Sequence, residues 1–315
     1  MLDVDVVICA FSWERFDRTL AAVESVLAQR PEPGVIVVVD HNPSLMRALA
    51  ERVPTGVQVV SASGAQGLGG AWNTGVDSST AAVVAFLDDD AIAEPGWLAA
   101  LIGPLQDPQV LATGGVAEPI WSGSRPKWLA DEWLWVVGCT YAGMPRTGAV
   151  RNVLGCNMAF RASVFAEIGG FLPGIGRLGK RPLGGGETEM CIRASQRWPD
   201  RAVIVVDDAV VRHHVTYARQ TFGYFLRRCF FEGVSKALLW RLVGADALRT
   251  EAGYVIGTLR SAMLRDVCDL RRVGAPTVLG RLLATVAGVV ASFGGFSFGL
   301  LASTRRRGGA HCAQR

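Results

Sequence analysis

Residues 83–90 read Val-Val-Ala-Phe-Leu-Asp-Asp-Asp, an apolar run that ends abruptly in three carboxylates, Asp88, Asp89 and Asp90. A continuous apolar stretch of this length is predicted to be a buried strand. Such a strand has no use for three adjacent negative charges, because desolvating and crowding carboxylates is costly unless a cation offsets them. In an open α/β sheet, ligands sit outside the carboxyl ends of the strands. Acids at that edge are therefore placed to hold Mg²⁺ or Mn²⁺ and, through it, a phosphate. An acidic turn capping a helix that begins at Ala91, Ile92 and Ala93 accounts for the same residues, and the run alone does not separate the two readings.

The residues before this run alternate between the two periods. Strands are predicted over Val4 to Ala10, Val35 to Asp40, Val57 to Ser61 and Ala82 to Leu87, with helices over Arg18 to Gln29, Leu45 to Arg52 and Gly70 to Asp77. Repeated βα units imply an α/β fold, a mostly parallel sheet flanked by helices on both faces. From Thr113 to Pro182 the sequence is rich in Gly, Pro and Trp; strands are expected only near Thr113 to Ala117 and Asn152 to Phe160, the rest being substrate-gripping loops.

Charge divides the chain. Residues 1–209 hold 16 Lys and Arg against 23 Asp and Glu, a balance of −7, whereas residues 210–315 hold 16 against 5, a balance of +11. A basic segment serves nucleic acid or an anionic membrane surface, and what lies between the charges decides. Here it is apolar: Leu282 to Ala302 is a 21-residue stretch without a charge, flanked by Arg281 and by Arg305, Arg306 and Arg307. That length suffices to cross a hydrocarbon core. Ser292, Gly294, Gly295, Ser297 and Gly299 dilute it, so a buried, a re-entrant and a spanning helix all remain open. Upstream, Phe222, Phe225, Leu226 and Cys229 recur at helical spacing among Arg227, Arg228, Lys236 and Arg241, which suits an interfacial helix or a core-facing one. A membrane, not nucleic acid, is the expected partner.

Seven cysteines are scattered without a CxxC pair, several inside apolar segments, which reads as buried thiols in a reducing compartment. The opening Met-Leu-Asp-Val-Asp carries acids where a signal peptide needs bases, so the main domain is expected at the cytoplasmic face of the cell membrane, held peripherally or by a single C-terminal pass.

Several chemistries are excluded or weakened. Gly67-Leu68-Gly69-Gly70-Ala71-Trp72 approaches the dinucleotide fingerprint, but Trp72 occupies the third glycine's place. No GxxxxGK[ST] sequence exists, and Ala10-Phe11-Ser12-Trp13 lacks the glycine-rich loop with which sugar nucleotidyltransferases wrap a triphosphate.

Taken in order, eight segments carry a resemblance. They are Val-Val-Ile-Cys-Ala-Phe-Ser-Trp-Glu-Arg (6–15), Val-Val-Asp-His-Asn-Pro (38–43), Gln-Gly-Leu-Gly-Gly-Ala-Trp-Asn-Thr-Gly (66–75) and Phe-Leu-Asp-Asp-Asp (86–90). Gly-Cys-Asn-Met-Ala-Phe-Arg (155–161), Gly-Gly-Phe (169–171), Gly-Glu-Thr-Glu-Met-Cys-Ile-Arg (186–193) and Val-Arg-His-His-Val (211–215) follow. From about Val4 to Lys236 the chain resembles the family 2 glycosyltransferases of the GT-A fold, inverting enzymes that use nucleotide-diphosphate sugars. The stretch containing His213, Tyr224-Phe225-Leu226-Arg227-Arg228 and Glu232-Gly233-Val234-Ser235-Lys236 looks like enzymes that extend polyprenyl-phosphate-linked sugars.

The resemblance implies roles. Asp40, Ala10, Glu14, Asn73 and Asp88 would line the nucleotide-sugar site, with Asp40 on the nucleoside; Asp88, Asp90 and His213 would hold Mg²⁺ or Mn²⁺. An inverting transfer is a single displacement, in which a carboxylate takes the acceptor hydroxyl's proton while the metal offsets charge on the departing diphosphate. Glu187 stands where the family usually has Asp, with Glu189 as a second candidate base; a purely structural reading makes both the start of a helix running to Trp198. Trp72 also departs from the family, which commonly places Arg there. Trp121, Trp128, Trp133 and Trp135 suit either a sugar or polyprenyl acceptor or a local core.

The expected organisation is a GT-A domain over 1–218, a basic amphipathic helical region over 219–281, and an apolar membrane-associated segment with a basic tail over 282–315. The expected reaction is sugar transfer from a nucleotide-diphosphate sugar to a lipid-linked or cell-surface glycan. The alternatives are a sugar-phosphate nucleotidyltransferase and a non-catalytic glycan-binding derivative of the fold.

Overall fold

The computed structural model describes residues 2–177, 181–268 and 270–311. Its first half follows the periodicity closely: β1 (Val4–Ala10), α1 (Phe16–Leu27), β2 (Gly34–Val39), α2 (Pro43–Arg52), β3 (Gln58–Ser61), α3 (Leu68–Ser78) and β4 (Val83–Asp88). These four strands pair in parallel in the order β3-β2-β1-β4. Helix starts follow local chemistry: Asn42 Oδ1 accepts from Leu45 N at 3.2 Å, and Pro43 opens α2 where no helical N–H is needed.

The sheet continues beyond β4 as β8 (Asn157–Arg161), β6 (Val110–Trp121), β9 (Ala202–Val215) and the short β5 (Ala91–Ala93), with β7 (Gly148–Ala149) also on β9. Only β6 and β9 are parallel in this half; β4 with β8, β8 with β6, β9 with β5 and β9 with β7 are antiparallel. The sheet is therefore mixed, and the parallel expectation holds for its leading half. β6 runs well past the strand expected near Thr113 to Ala117. Gly114, Gly115 and Pro119 interrupt the apolar pattern of β6, yet a Cβ on Gly115 would lie 1.9 Å from Ala209 O and one on Gly114 2.5 Å from Val153 Cβ. The glycines admit the close backbone approach of β9 and the 153 segment, at a register shift between Gly114 and Val116.

Hydrophobic cores cover both faces. One packs α1, α2 and α4 (Trp97–Ile102) through Val23, Leu45, Leu49 and Trp97; the other packs Trp72 of α3 with Phe86, Phe160, Phe165 of α5 (Ala162–Ile168), Phe171 and Met190, the last from α6 (Gly186–Arg197). The chain continues as the C-terminal helices α7 (Phe222–Val243), α8 (Arg260–Cys268), α9 (Leu270–Val273) and α10 (Ala275–His311); a third core, centred on Trp133, Phe225, Cys229 and Ala284, lies under α7 and α10 and takes in Leu259 just before α8. Trp128 meets Phe222 and Phe225 edge-on, Trp133 donates to Thr285 Oγ1 at 3.2 Å, and Trp135 donates to the Tyr254 hydroxyl at 3.0 Å. The aromatic cluster is thus the seat of the C-terminal helices. Phe225 and Cys229 correspondingly face inward on α7. Ala275–Ala302 is long and apolar enough by length and composition to cross a membrane. Cys312 and the side chains of Arg305, Arg306 and Arg307 lie outside the described residues.

Candidate active site and metal centre

The acidic edge is built by topology. Strand β4 delivers Asp88, the chain turns through Asp89 and Asp90, and β5 then pairs antiparallel with β9 so that Ala91 stands opposite His213. His213 Nε2 lies 3.2 Å from Asp90 Oδ1 and 3.8 Å from Asp88 Oδ2, and one ligand atom from each of the three falls within 4.8 Å of the others. Asp89 turns away onto Arg15. Burial, with Asp90 and Asp88 nearby, pushes its carboxyl up to about 7 despite that arginine.

Asp90 is fully buried, and neither carboxylate oxygen receives an aligned hydrogen bond. Arg15 Nη2 at 3.0 Å, His213 at 3.2 Å and Arg219 Nη2 at 3.5 Å approach it instead. Burial opposes its charge, but those three cationic groups outweigh burial and hold the carboxyl well below its usual range. In the same way, burial disfavours a charged His213, and the two aspartates reverse this and hold it well above the imidazole's ordinary value. Two carboxylates and an imidazole converging on buried, unbonded oxygens are a donor set that fits a divalent cation. The geometry thus favours the metal reading of the acidic run over the helix-capping one.

Arg15 and Arg219 were not singled out from sequence. Arg15 sits in the 3-10 turn Trp13–Arg15 after β1, and Arg219 in the turn Tyr217–Gln220 after β9. The signal available was that both follow strands ending at this edge. Beside them, Asp40 closes β2: its Oδ2 accepts from Gly67 N at 3.1 Å, its Oδ1 contacts His41 Nδ1 at 2.7 Å, and its backbone N donates to Ala10 O at 2.8 Å. Asp40 and Ala10 therefore sit side by side. Glu14 stands exposed in the turn after β1, near Phe11 and Trp13, each 50% exposed.

Glu187 occupies the first turn of α6. Three glycines precede it, each for a steric reason. A Cβ on Gly184 would lie 2.9 Å from Arg228 Nη2, one on Gly185 2.9 Å from Leu239 Cδ1, and one on Gly186 3.3 Å from Trp72 Cζ3. Gly185 also has φ +95°, a conformation that side chains resist. Gly184 N donates to Ser235 Oγ at 3.0 Å, so α7 and Trp72 together fix the loop that presents Glu187. A Cβ on Gly155 would lie 3.6 Å from Glu187 Oε2, and the next residue, Cys156, donates to Gly138 O, whose residue lines His213. The 155–156 segment thus lies between Glu187 and the Asp88, Asp90 and His213 cluster. Burial raises the Glu187 carboxyl above its ordinary value, and nearby Glu232 adds to the rise.

Two further expected site residues hold a neighbouring loop. Glu189 is buried and held by Arg193, with Oε1 accepting from Nε at 2.8 Å and Oε2 from Nη2 at 2.9 Å. Arg193 in turn donates to the carbonyls of Ile168 and Gly170. Asn73 donates to Phe171 O at 2.9 Å and accepts from Phe171 N at 2.7 Å. Both side chains clamp the Ile168–Phe171 segment. Glu189, the second candidate base, and Asn73, the expected donor contact, are thus both anchors of this loop.

Comparison with known proteins agrees with this frame. Residues 5–169, just over half of the chain, match the family model of Glycosyl transferase family 2. The chain is 33% identical over 243 residues to a glucosyl-dolichyl phosphate glucuronosyltransferase of Haloferax volcanii, covering 76% of this chain and 77% of that protein. A mannosyltransferase from Pyrobaculum calidifontis, solved with GDP-Man and Mn²⁺, superposes with TM-score 0.54 at 17% identity, over 97% of this chain and 88% of that one. GalNAc-T7, solved with UDP, GalNAc and Mn²⁺, gives TM-score 0.53 at 16% identity, over 75% and 52%. At these identities the solved structures speak for the fold, and the sequence matches speak for the lineage: the chain belongs to glycosyl transferase family 2 and is a glycosyltransferase of GT-A-like fold.

Proposed function

We propose that this protein transfers a sugar, with inversion, from a nucleotide-diphosphate sugar to a lipid-linked sugar acceptor, and that Mn²⁺ or Mg²⁺ assists. The observation that carries the reading is the convergence of Asp88, Asp90 and His213 within 4.8 Å, across the 155–156 segment from a desolvated glutamate. Asp88, Asp90 and His213 would hold the cation, and the imidazole among them favours Mn²⁺. When bound, the cation supplies charge stabilisation for the diphosphate leaving group. Arg15 and Arg219, already drawn to Asp90, are placed to share that anionic load once the cation neutralises the acids. Asp40 and Ala10, at the ends of β2 and β1, line the nucleoside side. Glu187 accepts the proton of the acceptor hydroxyl as its oxygen attacks the anomeric carbon; partial burial keeps the base poised nearer neutrality than a free carboxylate.

The acceptor class follows from the similarity to a glucosyl-dolichyl phosphate glucuronosyltransferase, which supports a polyprenyl- or dolichyl-phosphate sugar as acceptor and makes a hexuronosyl donor the first to test. In this reading residues 1–218 are the catalytic domain, and 219–281 and 282–315 form the part that keeps the enzyme at the cytoplasmic face of a membrane. The test is a panel of UDP-glucuronate, UDP-glucose and GDP-mannose with glucosyl-polyprenyl phosphate and Mn²⁺, read as nucleoside diphosphate released and product anomer formed. Pyrophosphate production would indicate nucleotidyl transfer instead, and donor binding without turnover would indicate a non-catalytic relative.

A further inference from the structure

We propose that α10 lies in the plane of one leaflet of an anionic bilayer, with its outward face immersed and its inward face held on the catalytic body. The proposal deepens the membrane association suggested above and rests on it.

The inward face is occupied along nearly the whole apolar helix. A Cβ on Gly280 would lie 3.3 Å from Trp128 Cβ, and Arg281 donates to Lys127 O and to Asp266. Thr285 accepts from Trp133, and Ser292 Oγ donates to Cys229 O at 3.2 Å. Further on, a Cβ on Gly295 would lie 1.8 Å from Phe230 O and one on Gly299 2.8 Å from Ala237 Cβ. Contacts thus run from Gly280 to Gly299, about 30 Å at 1.5 Å per residue, which is the thickness of a hydrocarbon core. To cross a bilayer, α10 would have to shed these contacts or take its partners with it. Its companion α7 carries Arg228, Glu232 and Lys236 in one ion-paired row, further paired to Glu251, a helix no hydrocarbon core accepts.

The outward face has the opposite character. Leu279, Leu283, Val286, Val290, Phe293 and Leu301 are each between 54% and 68% exposed; the first five follow one another by three and four residues, and Leu301 returns to the same stripe two turns further on. Leu264, Val267 and Leu270 of the adjoining α8 and α9 are likewise exposed, with Arg260, Arg271 and Arg272 exposed on the same helices. With 16 basic against 5 acidic residues over 210–315, this side complements anionic headgroups. An apolar stripe bordered by arginines is the pattern of a helix lying at an interface. Since α7 also anchors the Gly184 loop before Glu187, the same pair would bring the base to the level at which a lipid-linked acceptor presents its sugar.

The experiment adds the full-length protein to preformed phosphatidylcholine vesicles with and without phosphatidylglycerol. Ala275→Cys or Ala302→Cys, at the two ends of the apolar helix, is introduced in a background carrying Cys268→Ser and Cys312→Ser, so that neither the exposed Cys268 nor Cys312 takes the label. The expected result is cosedimentation with the anionic vesicles, at least about tenfold weaker with neutral ones, and labelling of both introduced cysteines by a membrane-impermeant maleimide. Leu283→Glu, Val290→Glu and Phe293→Glu combined should abolish cosedimentation while donor hydrolysis in detergent persists. Binding with Ala302→Cys protected and Ala275→Cys labelled would overturn the in-plane arrangement and leave membrane association standing. Failure to bind either vesicle would overturn both.

Discussion

Replacing Glu187 by Gln removes one ionisable oxygen and almost no volume. Thr188 Oγ1, 3.3 Å from Glu187 Oε1, finds an amide oxygen where the carboxylate was, and the three preceding glycines are untouched. The loop should therefore keep its shape. A positioned general base contributes about 10²–10⁴-fold. Because burial raises the carboxyl above its ordinary value, its basicity lies in the efficient part of that range, and we expect kcat to fall about 10³-fold, or about 4 kcal/mol of transition-state stabilisation. Donor KM should move little, since the cation and nucleoside contacts remain. The wild-type kcat/KM should fall with decreasing pH through an inflection above the ordinary glutamate value, because only the ionised form accepts the proton. Stability should behave oppositely. With its folded-state pKa raised, the ionised carboxylate opposes folding once pH exceeds the ordinary value, so Gln should leave Tm at neutral pH unchanged or higher. Steady-state kinetics with the glucosyl-polyprenyl phosphate acceptor, alongside calorimetry, reads all three quantities. A loss of kcat under about tenfold with the structure intact would refute Glu187 as the base.

Other substitutions separate chemistry from architecture. Glu189→Gln should instead lower stability by about 2–3 kcal/mol, the lower end of the cost of breaking a buried pair because Arg193 is 22% exposed, and should leave the pH profile of kcat in place; chemical denaturation checks it. Asp90→Asn should weaken Mn²⁺ binding and remove metal-stimulated turnover, read by titration of the ion and by product release. Gly185→Ala must accommodate φ +95° and a Cβ 2.9 Å from Leu239, so we expect a loss of about 1–2 kcal/mol in stability together with reduced kcat at unchanged metal affinity. Arg219→Met should raise donor KM more than it lowers kcat; an unchanged KM in initial-rate assays would remove Arg219 from the diphosphate site.

The sequence was most readable where one local rule acted alone. Strands β1 to β4 alternate with helices at regular spacing, and the jump from Phe86-Leu87 to three aspartates marks the acidic edge by itself. Legibility faded where a residue's environment is made by distant chain. Gly114 and Gly115 lie inside the strand expected near Thr113 to Ala117, but nothing local says that β6 needs glycine there so that Val153 and Ala209 can approach. The tryptophans at 121–135 read equally as ligand platform or core, because the helices they pack against arrive about a hundred residues later. Glu187 and Glu189 are indistinguishable as sequence; only the bidentate Arg193 pairing on Glu189 separates them. The approach of Arg15 and Arg219 to Asp90 depends on the ends of β1 and β9 meeting at one edge, which no local pattern states.

Everything in the proposed reaction depends on a divalent cation held at the acidic edge and facing Glu187. The most direct measurement is a crystal structure of the protein with Mn²⁺ and a nucleotide sugar, with anomalous scattering used to locate the ion. The expected map has a manganese peak about 2.0–2.6 Å from oxygens of Asp90 and the donor diphosphate, with Asp88 and His213 around it and Glu187 directed at the anomeric carbon. A diphosphate bound at this edge with no ion beside Asp90, or a Glu187 carboxylate turned away from the sugar, would contradict it.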